Sequence, residues 1–373
     1  MQRVDGVDDR VIRAAARTFH VLVWKTMRDD LKNEWRGSGG RARLSDVLER
    51  YPCKLSPHLA NLIQTEDDPL GRQFIPTVEE LDDSTGWLDP LAEDSLSPVN
   101  GLVHRYPNRA LWLVSHKCAA HCRFCTRKRR WKGAREMSED ELAQGLAYLR
   151  KDRRIVDVLL SGGDPLLLSV ERLEHLLHRL RAVPHIQVIR IGTRVPGVLP
   201  EVVTPALAAM ISKYHPVFMN LHFNHPLEIT AESRQACTML ADAGIPLGSQ
   251  TVLLRGVNDD AAVLGELFQG LLTMRVRPYY LMQMDLTAGT GHFRTPVASG
   301  LKILLALRNR ISGIAMPQFV IDLPGGHGKV PLVPNTIRAI HEDRVEFASY
   351  TGKRCIYPLL QGEHEELRRL RFG

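Results

Sequence analysis

Arg109-Ala-Leu-Trp-Leu-Val-Ser-His-Lys-Cys-Ala-Ala-His-Cys-Arg-Phe-Cys125 joins a short apolar run, 110–115, to three cysteines within eight residues. Six residues suit a buried strand and are too few for a helix of ordinary length. The same texture returns at 155–160, 187–191, 217–222, 248–254, 278–283 and 318–321. Helical patterns lie between these runs. Ser138-x-x-Glu141 reads as a capping box, Leu173, Leu176, Leu177 and Leu180 share one helical face, and 205–214, 230–243, 260–274 and 298–310 are further helical segments. Strands alternating with helices predict a parallel sheet built from βαβ units, an α/β fold. Polar or glycine-rich motifs follow the strands at Ser161, Thr193, His222, Arg255 and Asp285. In a barrel of parallel strands the carboxyl-end loops build the active site, so the chemistry is expected on one rim.

Outside this region the chain reads differently. Val11, Ala15, Phe19, Val23 and Met27 recur at helical spacing over 8–31, a Gly-rich break follows at 36–40, and short helices are expected at 45–51 and 57–63. Residues 64–100 are rich in Asp, Glu, Pro and Ser and read as surface loops. Of 373 residues, 44% are hydrophobic and 24% charged, which excludes disordered, collagen-like and coiled-coil classes. The formal charge of +7, from 49 Lys and Arg against 42 Asp and Glu, favours acidic ligands. No apolar run is long enough to span a membrane and the N-terminus lacks an apolar signal core, so a cytoplasmic protein is expected.

Six cysteines occur, at 53, 118, 122, 125, 237 and 355. Three clustered in a long chain point to a metal or redox site rather than a disulfide framework. The spacing C-x3-C-x2-C lets one loop offer three thiolates to an iron–sulfur cubane, leaving the fourth iron open. A structural zinc, closed by His116 or His121, is the alternative. Cys53 and Cys237 read as packing residues. Near the other end, Asp322-Leu-Pro-Gly-Gly-His-Gly-Lys329-Val-Pro-Leu-Val-Pro334 packs three glycines, three prolines and one lysine into thirteen residues. That describes a fixed irregular loop delivering a lysine to one point. In a partly apolar pocket such a lysine has a depressed pKa and can form a Schiff base with a carbonyl.

The cysteine motif, with Phe124 before its third cysteine and Ser161-Gly-Gly-Asp164 after the second strand, resembles the radical S-adenosylmethionine superfamily. The resemblance implies a partial (β/α)6 barrel, here with an N-terminal helical extension (1–104), the barrel (105–321) and a short C-terminal segment (322–373). It also implies a 4Fe–4S cluster on Cys118, Cys122 and Cys125, and S-adenosylmethionine held by Phe124, Ser161, Gly162, Gly163 and Asp164. The two glycines would allow close backbone approach, and the Asp164 carboxylate would meet the ligand's ammonium group. Adding His104-Arg-Tyr-Pro-Asn-Arg109, Thr126-Arg-Lys-Arg129, His222-Phe-Asn-His-Pro226, the stretch 250–258, Met284-Asp-Leu-Thr287, His292-Phe-Arg294 and the Lys329 loop, the chain is similar to the lysine 2,3-aminomutase family.

That similarity implies pyridoxal phosphate joined to Lys329, with its phosphate on Arg105 and Arg109. Arg127 would grip the substrate carboxylate through its guanidinium fork, and Asp285 with Asp322 would receive a distal ammonium group. The implied reaction is an isomerisation: a 5′-deoxyadenosyl radical takes hydrogen from the β-carbon and the α-amino group migrates there. L-lysine is the first substrate expected. The alternatives are an arginine 2,3-aminomutase of a natural-product pathway and a lysine aminomutase serving translation-factor modification. An electron donor such as flavodoxin or ferredoxin is implied. Family members often bind a zinc between subunits through C-terminal cysteines; only Cys355 occurs there, so no such zinc is expected and a homo-oligomer stays open. His327 stands where a glycine is expected and receives no catalytic role. From another class, the basic stretch 123–135 invites a zinc-containing nucleic-acid-binding protein, with arginines on phosphates.

Overall fold

The apolar runs become strands because every second side chain can be covered by a helix. In the computed structural model, which describes residues 40–83, 86–349 and 351–372, a nine-stranded sheet runs in sequence order. Its strands are β1 (Leu102–Tyr106), β2 (Arg109–Ser115), β3 (Asp157–Gly162), β4 (Val188–Thr193), β5 (Val217–His222), β6 (Leu247–Leu253), β7 (Val276–Gln283), β8 (Gln318–Leu323) and β9 (Gly328–Pro331). β2 to β8 are parallel; β1 and β9 pair antiparallel at the two ends. Six helical connections join the seven parallel strands, the expected partial barrel of six β/α units plus one strand.

The burial pattern tells inside from outside. Val158, Leu160, Ile189, Ile191, Val217, Met219 and Leu221 are fully buried in one core with Leu146, Leu149, Leu173, Leu177 and Leu180 of the surrounding helices. The residues between them, among them Asp157, Ser161, Arg190, Asn220 and His222, remain partly exposed and face the interior. The interior is thus lined by polar side chains. The capping box is formed: Glu141 N donates to Ser138 Oγ at 3.3 Å and Ser138 N to Glu141 Oε2 at 2.7 Å, opening the helix Glu139–Lys151.

The helix expected at 8–31 lies outside the described residues. Helices Gly40–Arg50, Pro57–Leu62 and Pro69–Phe74 cross the cysteine-loop side of the barrel, where Leu59 and Phe74 pack with Ala119, Ala120 and Val198. β1 and β9, absent from the sequence reading, flank the parallel set and bring Tyr106 to Lys329, whose backbone N donates to Tyr106 Oη at 3.0 Å. Beyond β9, strands Ile337–Ile340, Arg344–Ala348 and Arg354–Pro358 form a separate antiparallel sheet, followed by helix Glu363–Phe372. Cys237 is buried in the core, and Cys355 is exposed on the last strand of that small sheet. No described helix is long and apolar enough to cross a membrane.

Candidate active site

The loop after β2 carries the three cysteines, all unpaired, and the N-terminal helices and their connections hold it. Lys54 Nζ donates to the Cys118 carbonyl at 2.6 Å, His121 N to the Lys54 carbonyl at 2.9 Å, and Arg123 N to the Gln73 carbonyl at 2.8 Å. Burial pushes the Cys118 thiol well up, and the neighbouring Cys125 and Cys122 push it further, so the three sulfurs sense one another. Burial also raises the Cys125 thiol to about 11. Bringing such thiols to the thiolate state requires strong compensating positive charge, which a metal centre supplies. Three thiolates from one C-x3-C-x2-C loop suit a cubane, in which each binds a separate iron, whereas a closed zinc site needs a fourth ligand. His121, offered as a zinc ligand, is spent elsewhere: its ring stacks on Trp131 at 4.3 Å, Nδ1 meets the Pro52 carbonyl at 2.8 Å, and burial lowers its pKa to about 4.

The Ser161-Gly-Gly-Asp164 turn lies against this loop, and its glycines let the backbone at Ser115 and Lys117 approach closely. Gly163 N donates to the Ser115 carbonyl at 2.6 Å and Asp164 N to that of Lys117 at 2.8 Å. A Cβ at Gly162, whose φ is +130°, would stand 1.9 Å from the Ser115 oxygen, and one at Gly163 2.0 Å from the Lys117 oxygen. The glycines therefore admit the strand that enters the cysteine loop. Asp164 is likewise engaged by protein. Its carboxylate accepts from Thr193 Oγ1 at 2.8 and 2.9 Å, Arg194 N at 2.8 Å and Leu166 N at 3.1 Å, and burial raises its pKa to about 6 despite these donors. Phe124 is 5% exposed and packs beside His222 and Phe293. Burial, with Arg194 nearby, lowers His222 to about 3, keeping it neutral.

At the far side of the rim, the β8–β9 hairpin sets Asp322 opposite Lys329. Its turn needs left-handed backbone at Gly325 (φ +78°) and Gly326 (φ +81°). Lys329 Nζ pairs with Asp322 Oδ2, while Arg105 Nη1 donates to Asp322 Oδ1 at 2.7 Å. The lysine's partners here are thus ionic. Asp285 faces the same group. Burial, then the Asp322 charge, raises its pKa to about 7 even though Lys329 and Arg105 pull it down. Arg109 leaves this cluster: its guanidinium lies 3.8 Å over the Tyr106 ring and donates to Asn108 Oδ1 at 3.3 Å. A lysine, two arginines and the Tyr106 ring between them still offer the amine and cations that pyridoxal phosphate needs.

Arg127 reaches into the interior from the cysteine loop. It donates through Nη1 to Ser161 Oγ and the Gly162 carbonyl, both at 3.3 Å, and through Nε and Nη2 to the Glu93 carboxylate at 2.6–3.0 Å. Glu93 thus holds the bidentate edge that was expected to take a substrate carboxylate. Glu80 and Glu93 were missed because both lie in the stretch 64–100 that reads as surface loops, and Arg194 because only Thr193 was singled out in the motif after β4.

Most cations of the basic loop are also paired with carboxylates. Arg123 and Lys128 pair with Glu80, Arg127 with Glu93, Arg129 with Asp89 and Asp94, Arg130 with Asp94, and Arg135 with Glu141. Little of it is left for a polyanion, which removes the basis of the nucleic-acid reading.

A parallel α/β barrel with three cysteines after its first parallel strand and a Ser-Gly-Gly-Asp turn after its second defines a radical S-adenosylmethionine enzyme, and residues 112–264 match the Radical SAM superfamily. Residues 304–365 match Lysine-2,3-aminomutase. The L-lysine 2,3-aminomutase of Fusobacterium nucleatum is 48% identical over 311 residues, 82% of this chain and 73% of that one. That of Clostridium subterminale is 49% identical over 314 residues, 83% and 75% of the two chains. The glutamate 2,3-aminomutase of Clostridioides difficile is 40% identical over 313 residues, 83% and 74%. The chain belongs to the lysine 2,3-aminomutase family of isomerases, and membership implies a 4Fe–4S cluster, S-adenosylmethionine and pyridoxal phosphate.

Proposed function

We propose that the chain moves the α-amino group of a basic amino acid to the β-carbon, with L-lysine as substrate. The observation that carries this reading is the Asp285–Asp322 pair: two carboxylates whose charges act on one another beside Lys329 and Arg105, Asp285 being raised to about 7 by burial and then by its neighbour's charge. A cation arriving there would relieve both the burial and the mutual repulsion. Asp322 already accepts a primary ammonium, that of Lys329. A glutamate side chain would instead meet like charge.

When bound, the cluster and S-adenosylmethionine supply a 5′-deoxyadenosyl radical and pyridoxal phosphate carries the migrating nitrogen. The cluster would sit on Cys118, Cys122 and Cys125, beside Phe124 and the turn Ser161, Gly162, Gly163 and Asp164. Lys329 would anchor pyridoxal phosphate, with Arg105 and Arg109 near its phosphate. Arg127, oriented by Glu93, would offer its remaining N–H to the substrate carboxylate. We assign the chain to a cytoplasmic setting with a flavodoxin- or ferredoxin-type electron donor, and divide it into an extension (1–104), the barrel (105–321) and the segment bearing Lys329 (322–373).

The direct test supplies reduced, cluster-loaded enzyme with S-adenosylmethionine and lysine, arginine, ornithine or glutamate, and identifies the β-amino isomer formed. β-Lysine as the preferred product is expected; turnover of arginine without lysine would replace the substrate assigned here. In Asp322→Asn, lysine turnover is expected to fall on the order of 10²-fold, the cost of leaving a substrate ammonium without its charged partner. An unchanged rate would remove its role.

Asp285 adds a pH signature. Its ionised form receives the cation and prevails only above pH about 7, so KM for lysine should fall as pH rises from roughly 6 to 8, cation binding then releasing fewer protons. Asp285→Asn should raise KM and flatten this dependence. A KM independent of pH in the unaltered enzyme would contradict the assignment.

A further inference from the structure

We propose that Arg194, in the turn after β4, sets the reduction potential of the cluster through Cys122. Arg194 Nη1 donates to Cys122 Sγ at 2.8 Å, while Nη2 donates to Gln73 Oε1 at 2.6 Å and Glu228 Oε2 at 2.9 Å. The guanidinium lies 4.5 Å from the Phe74 ring centre and 5.4 Å from that of Phe124, and its side chain is 8% exposed. Water cannot screen it. Burying a guanidinium is costly unless its charge is used, and one of its N–H groups is aimed at a sulfur that the family binds to iron.

Glu228 offsets only part of that charge at the sulfur. Its other oxygen, Oε1, is engaged by Asn224 N at 2.9 Å, His225 N at 3.0 Å and Gln73 Nε2 at 3.4 Å. Part of its negative charge is drawn onto these donors. Reduction adds one electron to the cluster, and that charge spreads onto the coordinating sulfurs. Hydrogen bonds to the sulfurs, and the charge and burial around them, set the potential of such clusters. A cationic donor in a dry setting favours the reduced state. Arg194 therefore makes the cluster easier to reduce by the external donor. It acts through Cys122 and is a positioning and tuning residue, not a catalytic one.

The test is an EPR-monitored redox titration of cluster-loaded protein without S-adenosylmethionine, so that an effect on ligand binding does not enter. Arg194→Met, with iron and sulfide content equal to the unaltered protein, is expected to show a more negative midpoint, and Arg194→Lys a smaller shift in the same direction. Glu228→Gln, which frees more of the guanidinium's charge, is expected to shift the midpoint positive. Equal midpoints in Arg194→Met and the unaltered protein would overturn the proposal. Should Arg194→Met fail to retain its cluster, Arg194→Lys decides: a negative shift supports the proposal, and an unchanged or positive one overturns it. These readouts do not depend on the amino acid substrate, so they stand apart from the lysine assignment.

Discussion

Lys329→Ala should abolish amino-group migration, with turnover falling on the order of 10⁴-fold or more, the scale reached when one member of a covalent catalytic unit is removed. The cause is local. Lys329 is the one lysine of the β8–β9 hairpin, and its backbone is fixed on both sides: its N–H donates to Tyr106 Oη at 3.0 Å, and it is the register partner of Asp322. The substitution removes the amine without disturbing these backbone bonds, so fold and cluster content should hold. Two spectroscopic consequences separate a lost anchor from a lost fold. The near-ultraviolet band of lysine-bound pyridoxal phosphate should vanish, and borohydride should no longer fix the cofactor to the chain. Cluster absorbance should match the unaltered enzyme. Persistence of a borohydride-stable adduct in Lys329→Ala would move the anchor to another lysine. Lys329→Arg keeps a cation beside Asp322 but cannot form the imine, and should be as inactive as Lys329→Ala. If it were active, the lysine would serve only as a counter-ion.

What the sequence reveals and what it conceals divide along one physical line. The seven parallel strands were legible because each is a short apolar run with turn residues around it, and burial by helices on the outer face demands that pattern. The cysteine loop and the Ser161 turn were legible because their spacing has few other uses. β1 and β9 were not, since an edge strand such as Leu102–Tyr106, with His104 and Arg105 in it, carries no apolar periodicity. The charged partners were the larger omission. Glu80 and Glu93 sit in the stretch 64–100 that reads as solvated surface, and Glu228 in the short link after the His222 motif, yet they are 1%, 3% and 0% exposed. A buried glutamate and a surface glutamate look alike until the arginine that pairs with it is located in space. The same blindness misjudged the charge of the cysteine loop: its cations were visible and contiguous, whereas their carboxylates come from distant segments. Gly162 and Gly163 were expected to allow close backbone approach, and the backbone at Ser115 and Lys117 is what a side chain there would strike.

Glu80→Gln should be the most destabilising single change outside the reacting groups. Glu80 and Arg123 have fully buried side chains, and Lys128 is 1% exposed. The carboxylate receives Arg123 Nε at 2.8 Å, Arg123 Nη2 at 2.7 Å and Lys128 Nζ at 2.7 Å. Burial pushes the Glu80 carboxyl up, but Arg123 and Lys128 outweigh it and hold it below the usual carboxylate value. Burial lowers Lys128 to about 8 although Glu80 pulls it back up. Two cations therefore depend on one anion, and an amide leaves both without a counter-charge. Breaking a buried pair in this way costs about 3–5 kcal/mol. Denaturant unfolding of cluster-free protein should register that loss as a lower midpoint. Damage should spread to the site, because Arg123 also donates to the Pro52 and Tyr51 carbonyls, both at 3.1 Å, and so ties the N-terminal segment to the cysteine loop. Iron incorporation should fall with stability. Replacing all three charges by apolar residues of similar size, Glu80→Leu with Arg123→Met and Lys128→Met, should recover much of the midpoint, since well-packed apolar groups can substitute for a buried ion cluster at little net cost. If Glu80→Gln alone unfolds at the same denaturant concentration as the unaltered protein, the cluster contributes nothing to holding the extension on the barrel, and the coupling between that extension and the iron site must lie in Gln73 and Lys54 instead.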